Sequence, residues 1–322
     1  MTPLRVTLRL RSPLGTPLAG DTLFGQLCHA VREMLGEEKL ETLLTGYSAG
    51  CPWLIVSDGF PSGYLPRPTV PAALQANNEE DPAKRKEAKG KRWIPHDKVH
   101  LPLRQLLDIA ASDEDVYGKE VCGKQNKPIQ AAAFHNTLNR LTGTTGTGEF
   151  APYTQSQIFY QPDQRMDLWC VLDEDRLPCA TLLQLLEYIG NVGYGRDASI
   201  GLGKFAVEQI EEATLFKQTY PDANAYWTLA PCAPQGQGFD ITRSYWQVLT
   251  RFGRHGGTLA LGANPFKQPL LLAATGAIFT PTGNRAQTRF IGNGLAKVSL
   301  MQKTAVHQGY APVLGICMEE SA

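Results

Sequence analysis

Four glycines fall within eleven residues, in Gly193-Tyr-Gly195-Arg-Asp-Ala-Ser-Ile-Gly201-Leu-Gly203. A helix or strand does not sustain that density, because glycine gives up more backbone freedom on folding than any other residue. The segment is therefore a loop, and its flanks limit the fold. Before it, Leu182, Leu185, Leu186 and Ile189 recur at helical spacing over 181–189, and Gly190 ends the run. After it, KFAVEQI at 204–210 alternates like a strand. No GK[ST] follows the glycines, and the spacing is not that of a dinucleotide fingerprint. Small residues let a sugar-phosphate chain approach the backbone, and successive amides can hold an anion. They serve a tight structural turn equally well, so both readings stay open at this point.

The start of the chain has a matching pattern. LRVTLRLR at 4–11 alternates apolar and basic residues, which predicts a strand with one wet face. SPLGTP at 12–17 is turn chemistry. Asp21 is placed as the N-cap of a helix over 22–35, with Leu23, Phe24, Leu27, Cys28, Val31, Met34 and Leu35 as its apolar stripe. Gly15, Thr16 and the amides at that helix start can hold a phosphate or simply form an ordinary turn and cap. PWLIVS at 52–57 reads as a short buried strand, and 153–161 and 165–172 as two more. Strand, helix, strand, then strand, helix, strand is a ferredoxin-like order, shared by many RNA-recognition modules with open antiparallel sheets.

Residues 71–100 contain NNEEDPAKRKEAKGKR and read as a polar, solvated insertion. Residues 101–110 read as a helix, and LTGTTGTGE at 141–149 as a flexible turn. Pro221 lies in a polar junction, after which 225–230, 244–251, 268–274, 276–280 and 312–318 are strand candidates. A chain of 322 residues buries about three quarters of its unfolded surface, enough for one large domain or two.

The chain carries 31 basic and 31 acidic side chains, so a uniformly basic coat for nucleic acid is excluded. The charges are nevertheless segregated. No Asp or Glu occurs over 241–318, where eight Lys or Arg lie, Arg251 and Arg254 among them. Eight more basic residues crowd 84–104. That arrangement predicts a positive face for a polyanion inside a neutral total. Tyr194 beside Arg196, and Phe252 between Arg251 and Arg254, pair rings with guanidinium groups as RNA-binding surfaces do.

Seven widely spaced cysteines without a CxxC, and six histidines outside any zinc pattern, predict reduced thiols and no metal. Neither an 18-residue apolar run nor a signal h-region is visible, so a cytoplasmic protein is expected. His135, in FHNTLNR, is either an acid or base for RNA cleavage or a hydrogen-bonding group that fixes a loop or a ribose. HExxH, GxSxG and the zinc deaminase pattern are absent.

RSPLGTPLAGDTLFGQLCHAVRE, SDGFPSGYLPRP, HNTLNR and GYGRDASIGLGKF follow one another along the chain. In that order they resemble the RAMP-superfamily CRISPR proteins, specifically the crRNA 5′-handle-capping subunit of type III-A (Csm) effector complexes. The resemblance implies an α+β fold of two ferredoxin-like (RRM-like) domains with antiparallel sheets. They would span 1–215, with an inserted thumb-like element at about 71–130, and 220–322. It implies a non-catalytic subunit in antiviral defence that binds the repeat-derived crRNA 5′ tag and needs no cofactor. Its expected protein partners are the large polymerase/cyclase-like signature subunit and the repeated backbone RAMP subunit, with target RNA near the thumb around 84–98. Carried onto this chain, the RNA-binding set is Ser12, Gly15, Thr16 and Asp21; His135, Asn136 and Arg140; and Gly193, Gly195, Arg196, Ser199, Gly201, Gly203 and Lys204, with Arg251 and Arg254 from the acid-free stretch. The alternatives are a metal-independent endoribonuclease acting on repeat RNA, or the equivalent cap of another type III subtype.

Overall fold

Alternation along the first ten residues produces a strand whose Leu4, Val6, Leu8 and Leu10 point into a core. In the computed structural model this is β1 (Thr2–Leu10), followed by α1 (Gly20–Leu35), α2 (Glu37–Leu44) and β2 (Leu54–Val56). Short strands β3 (Phe60–Pro61), β4 (Tyr64–Pro66) and β5 (Lys91–Pro95) lead to α3 (Leu103–Asp108), β6 (Ala111–Ser112) and α4 (Asp113–Tyr117). Then come β7 (Ile129–His135), β8 (Tyr153–Phe159), β9 (Arg165–Leu172), α5 (Cys179–Val192) and β10 (Phe205–Glu212). The second half contributes β11 (Ala225–Thr228), β12 (Phe239–Tyr245), β13 (Val248–Arg251), β14 (Leu270–Ala273), β15 (Ile278–Pro281), β16 (Phe290–Leu295) and β17 (His307–Ile316). The structure describes residues 1–71, 90–118, 126–217, 222–256, 262, 264–283 and 288–318.

The first sheet has the order β10-β1-β9-β2, with β3 also pairing β9, and every pair is antiparallel. With α1 and α5 as crossovers, this is the split strand-helix-strand order expected from the sequence. One face carries the leucines of β1 against Leu23, Phe24, Leu27 and Val31 of α1 and Leu182, Leu185 and Leu186 of α5. Each such side chain contributes about 1.5–3 kcal/mol through burial. Met34 and Leu35, expected on the same stripe, are exposed at the end of α1.

The other face of β1 is wet, as its alternation suggested, only toward its end, where Arg9 pairs with Asp163 and Glu208 at the surface; around Arg5 and Thr7 it is covered. Arg5 donates to Asp167 at 2.8 Å and lies over the Trp169 ring, 5.7 Å from its centroid. Asp167 is fully buried, and that pairing is what lets a basic residue lie under cover. The cover is a second core that joins both halves of the chain: Trp169 with Leu103, Leu106 and Leu107 of α3, and Trp227, Leu314 and Ile316 of the second half.

The second half forms a sheet of order β12-β15-β11-β17-β16, with β13 and β14 as a separate ribbon. No helix occurs among the described residues 222–318. Instead, α1 packs against both β2 and β17. Tyr310 of β17 reaches into the first core and donates to the carbonyl of Tyr47 at 2.6 Å.

Residues 72–89 lie outside the described residues, and with them part of the expected insertion and thumb. The described remainder is built into the fold: β4, β5 and β6 form a three-stranded sheet, and Ile94 is fully buried. No disulfide joins the described cysteines, of which Cys170 and Cys232 are buried. No described helix is long and apolar enough to cross a membrane.

Candidate nucleic-acid interface

Leu10 pairs with Phe205, so the loop that follows β1 and the loop that precedes β10 emerge at one end of the first sheet. They fasten to each other along their length. Arg11 N donates to Lys204 O at 2.8 Å, Lys204 N to the Ser12 hydroxyl at 2.8 Å, and Gly203 N to Pro13 O at 2.8 Å. Farther out, Arg196 N donates to the Thr16 hydroxyl at 3.1 Å. The phenol of Tyr194, fully buried, donates to Pro17 O at 2.8 Å and accepts from Ala19 N at 2.9 Å. Two segments about 180 residues apart thus form one double-layered rim.

The glycines do two different jobs in this rim. At Gly203, with φ +73°, a Cβ would lie 2.0 Å from the Tyr194 carbonyl oxygen, and at Gly15 it would lie 2.4 Å from that of Arg196. Gly193 and Gly195 are hemmed in similarly, by Leu202 O and by the Thr16 side chain. Gly201 differs: its φ is +99°, and nothing stands within 4 Å of where a Cβ would be. It lies on the open edge, where Ser199 and Ile200 are exposed, and Arg11 and Lys204 are exposed on the same rim. Bare backbone flanked by cationic side chains suits a phosphate chain.

Arg196 is half exposed, but its guanidinium is already engaged. It donates to the carbonyl of Ser156 in β8, and its Nε stands 3.1 Å from Asp197 Oδ2.

The start of α1 departs from expectation. Its N-cap is Ala19, not Asp21, and Gly20 and Asp21 are buried. Gly20 N donates to Asp58 Oδ1 at 2.8 Å and Ala19 N bonds Tyr194, so these helix-start amides are already satisfied within the chain. A Cβ at Gly20 would lie 2.2 Å from Val56 O, which shows how closely this end is packed.

The Asp21 side chain has no exposed surface, so it is a strut and not a ligand for RNA. Arg251 Nε donates to it at 2.6 Å and His307 Nε2 stands 3.3 Å away. Burial pushes the Asp21 carboxyl up, but His307 and Arg251 outweigh this and hold it below its ordinary value. The charge of Arg251, expected at RNA, is therefore turned to a buried partner that ties the second half to α1. Burial pushes the neighbouring Asp58 carboxyl up to about 6 despite bonds from Thr275 and Gly20. Arg254 is exposed on the ribbon continuing β13, opposite Phe266.

HNTLNR lies at the far end of a hairpin made by β7 and β8. His135 ends β7, pairs with Tyr153 and stacks on its ring at 5.4 Å. Asn136 and Arg140 are exposed in the connecting loop. The root of this hairpin meets the rim: Leu14 and Ile158 exchange two backbone bonds, of 3.0 and 2.8 Å, and Gln155 donates to Asp197 at 3.2 Å. Strand rise of about 3.3 Å per residue puts Tyr153 roughly 7 Å beyond Gln155.

The set carried over from the resemblance is thus split. Ser12, Gly15, Thr16, Gly193, Gly195, Arg196, Ser199, Gly201, Gly203 and Lys204 converge on the rim. His135, Asn136 and Arg140 sit out along the hairpin, and Asp21 and Arg251 form a buried pair. Tyr194, Asp58 and Asp197 are structural keystones whose partners lie far off in the chain, and no local pattern marks them as such.

Among the described residues no group of three or more His, Cys, Asp or Glu is placed to hold a metal ion. An apolar cavity of about 380 Å³ between the 234–238 loop, Trp246 and Leu271 shares no residue with the rim.

Neither a protein-family model nor a curated protein matches the sequence. Solved structures do match in fold. A chain from the crystal structure of a Csm1–Csm4 cassette in complex with cA4 matches at TM-score 0.61 and 16% identity, over 100% of both chains. A chain from the Csm3–Csm4 subcomplex of the type III-A CRISPR-Cas interference complex matches at TM-score 0.61 and 13% identity, over 98% of this chain and 99% of that one. A Csm1–Csm4 cassette with AMPPNP gives 0.61 and 16%, over 99% and 100%. From end to end, the chain has the fold of components of type III-A CRISPR assemblies.

Proposed function

We propose that this chain is a non-catalytic, crRNA-binding subunit of a type III-A CRISPR effector complex, acting in antiviral defence. It holds the repeat-derived 5′ tag of the guide RNA and links the large polymerase/cyclase-like subunit to the filament of backbone subunits. The division into ferredoxin-like domains at 1–215 and 220–322, and target RNA near the thumb, belong to the same reading.

The observation that carries it is the double rim. Loops 11–19 and 193–204 interlock through backbone bonds and leave one edge open, with bare backbone at Gly201 and the exposed Ser199, Lys204 and Arg11. Phosphates supply affinity at such an edge, and splayed bases supply identity. Within the resemblance set, Ser199, Gly201 and Lys204 take the direct contacts. Ser12, Gly15, Thr16, Gly193, Gly195 and Gly203 shape the rim, while His135, Asn136 and Arg140 meet RNA along the hairpin.

The test is binding of repeat-derived 5′ tag RNA to the purified chain and to the reconstituted complex, in EDTA. Lys204→Ala with Arg11→Ala is expected to weaken binding and flatten its salt dependence by about one counterion per lost phosphate contact. Unchanged affinity and salt slope would sink the assignment. Cleavage of repeat RNA in the same EDTA samples, lost in His135→Ala, would favour the endoribonuclease instead.

A further inference from the structure

We propose that Asp197 is a positioning residue that pins the hairpin of β7 and β8 to the glycine-rich loop, so the occupant of the loop's open edge and the hairpin move together. The reading of that occupant as RNA rests on the function proposed above; the pin does not.

The hairpin is a separate two-stranded sheet, outside the two five-stranded ones. Its connecting loop projects, with Leu138 59% and Leu141 97% exposed, and Phe134 of β7 is 84% exposed. What fixes its direction is therefore the set of ties at its root. At the base Gln161 donates to the carbonyls of Tyr117 and Asn126, at 3.1 and 2.9 Å; Leu14 and Ile158 pair next, and the two ties nearer the tip both come from consecutive loop residues. Arg196 donates to Ser156 O, and Asp197 Oδ1 accepts from Gln155 Nε2 at 3.2 Å. Asp197 Oδ2 is buried and lies 3.1 Å from Arg196 Nε, in ion-pair contact without the alignment of a hydrogen bond. It holds the arginine against the strand.

The backbone at Asp197 points to the same role. Its φ is +64°, the left-handed region. Glycine occupies that region without cost, and a side chain there is strained. In a loop that already uses glycine at four left-handed positions, an aspartate at a fifth persists where its carboxylate is needed. That carboxylate reaches the hairpin, while the carbonyl of the same residue closes the turn of the open edge. Ile200 N donates to Asp197 O at 3.1 Å, and Leu202 N approaches it at 3.4 Å, around Ser199 and Gly201. One residue thus belongs to both parts: its main chain shapes the ligand-facing turn and its side chain holds β8. A ligand that shifts the turn shifts the tie, and coupling of this kind is reciprocal.

Three variants separate the roles. Asp197→Gly keeps the left-handed backbone and deletes the tie. Asp197→Asn keeps an acceptor for Gln155 and tolerates the same φ. Gln155→Ala removes the tie from the hairpin side. Hydrogen–deuterium exchange is measured on the full chain, free and with repeat-derived 5′ tag RNA.

In the free protein, amides of 131–135 and 153–157 exchange about tenfold faster in Asp197→Gly and Gln155→Ala and within about twofold of wild type in Asp197→Asn, on the scale of one lost hydrogen bond. RNA slows these amides in wild type and not in Asp197→Gly, although RNA still binds. Wild-type exchange of the hairpin in free Asp197→Gly, or RNA-induced slowing that persists in that variant, overturns the pin. Absence of RNA binding by the wild type, with the free-state difference intact, overturns the RNA reading alone.

Discussion

Replacing Gly203 and Gly201 by alanine separates packing from ligand contact within one loop. Both glycines have left-handed φ, +73° and +99°, so alanine at either carries about 1–2 kcal/mol of backbone strain. At Gly201 that is the whole cost, since nothing stands within 4 Å of the new methyl. At Gly203 the methyl would lie 2.0 Å from Tyr194 O and 2.5 Å from Tyr194 N, both main-chain atoms. The backbone must give way, which adds about 1–3 kcal/mol for overpacking. The displacement also threatens the bonds Tyr194 N to Gly203 O, 2.9 Å, and Gly203 N to Pro13 O, 2.8 Å. Gly203→Ala is therefore expected to lose about 2–5 kcal/mol, and Gly201→Ala about 1–2 kcal/mol. At about 2 °C per kcal/mol for a chain of this size, the melting midpoint falls by about 4–10 °C in the first and by no more than about 4 °C in the second. Thermal melts followed by near-UV circular dichroism read the folding side, and fluorescence anisotropy with 5′ tag RNA at fixed salt reads the binding side. Gly201→Ala should bind tag RNA more weakly at temperatures where it is fully folded. Equal melting midpoints for the two variants would mean that the main-chain atoms facing Gly203 do not constrain it, contrary to its packing.

Tyr194→Phe strands Pro17 O and Ala19 N, and should destabilise by about 2–6 kcal/mol in urea unfolding, at about 1–3 kcal/mol per orphaned group. Arg251→Met leaves a fully buried Asp21 carboxylate with the Thr22 hydroxyl and His307 beside it but without its guanidinium partner, and should cost about 3 kcal/mol, with partial recovery in the Asp21→Asn/Arg251→Met double variant. The two buried aspartates give opposite pH dependences. Asp58, raised to about 6, holds its proton more tightly when folded, so its contribution is full below the unfolded value and is lost as pH rises through 6. Wild type should therefore lose up to about 3 kcal/mol relative to Asp58→Asn between about pH 4 and 6. Asp21, held low, contributes above its unfolded value and loses that contribution as pH falls, so Asp21→Asn should close the gap to wild type in acid. Urea unfolding from neutral pH down through about pH 4 and on into more acid solution checks both signs, Asp58 above about pH 4 and Asp21 below it.

The first sheet was legible because its signals are local. Alternation in β1, the helical stripe of α1 and the leucines of α5 each lie within a few turns of chain, and the glycines marked the loop between α5 and β10. What failed depends on distant partners. β16, FIGNGL, reads as a broken segment, yet Gly292 and Gly294 are required where a Cβ would lie 2.1 Å from Gly309 O and 2.5 Å from Tyr47 O. β7, IQAAAFH, has little intrinsic strand preference and is held by β8 across the intervening residues 136–152. Asp21 looked like a cap because capping is the usual local use of aspartate before a helix. Its real partner, Arg251, is 230 residues away. Arg196 was expected at RNA from its place in the glycine-rich loop and from the resemblance; its guanidinium also bonds Ser156 of β8 and pairs with Asp197, contacts that no local pattern announces. Charge patterning identified a basic segment but not which cations are engaged inside the fold.

The most direct test of the account is photo-crosslinking of 4-thiouridine-labelled 5′ tag RNA in the assembled complex, with the attached peptides identified by mass spectrometry. Adducts are expected in 196–204 and 11–16, and weaker ones along 135–140, with the rim adducts lost in Lys204→Ala/Arg11→Ala. Tag adducts confined to other faces of this chain, such as 234–248, or to other subunits altogether, would contradict it.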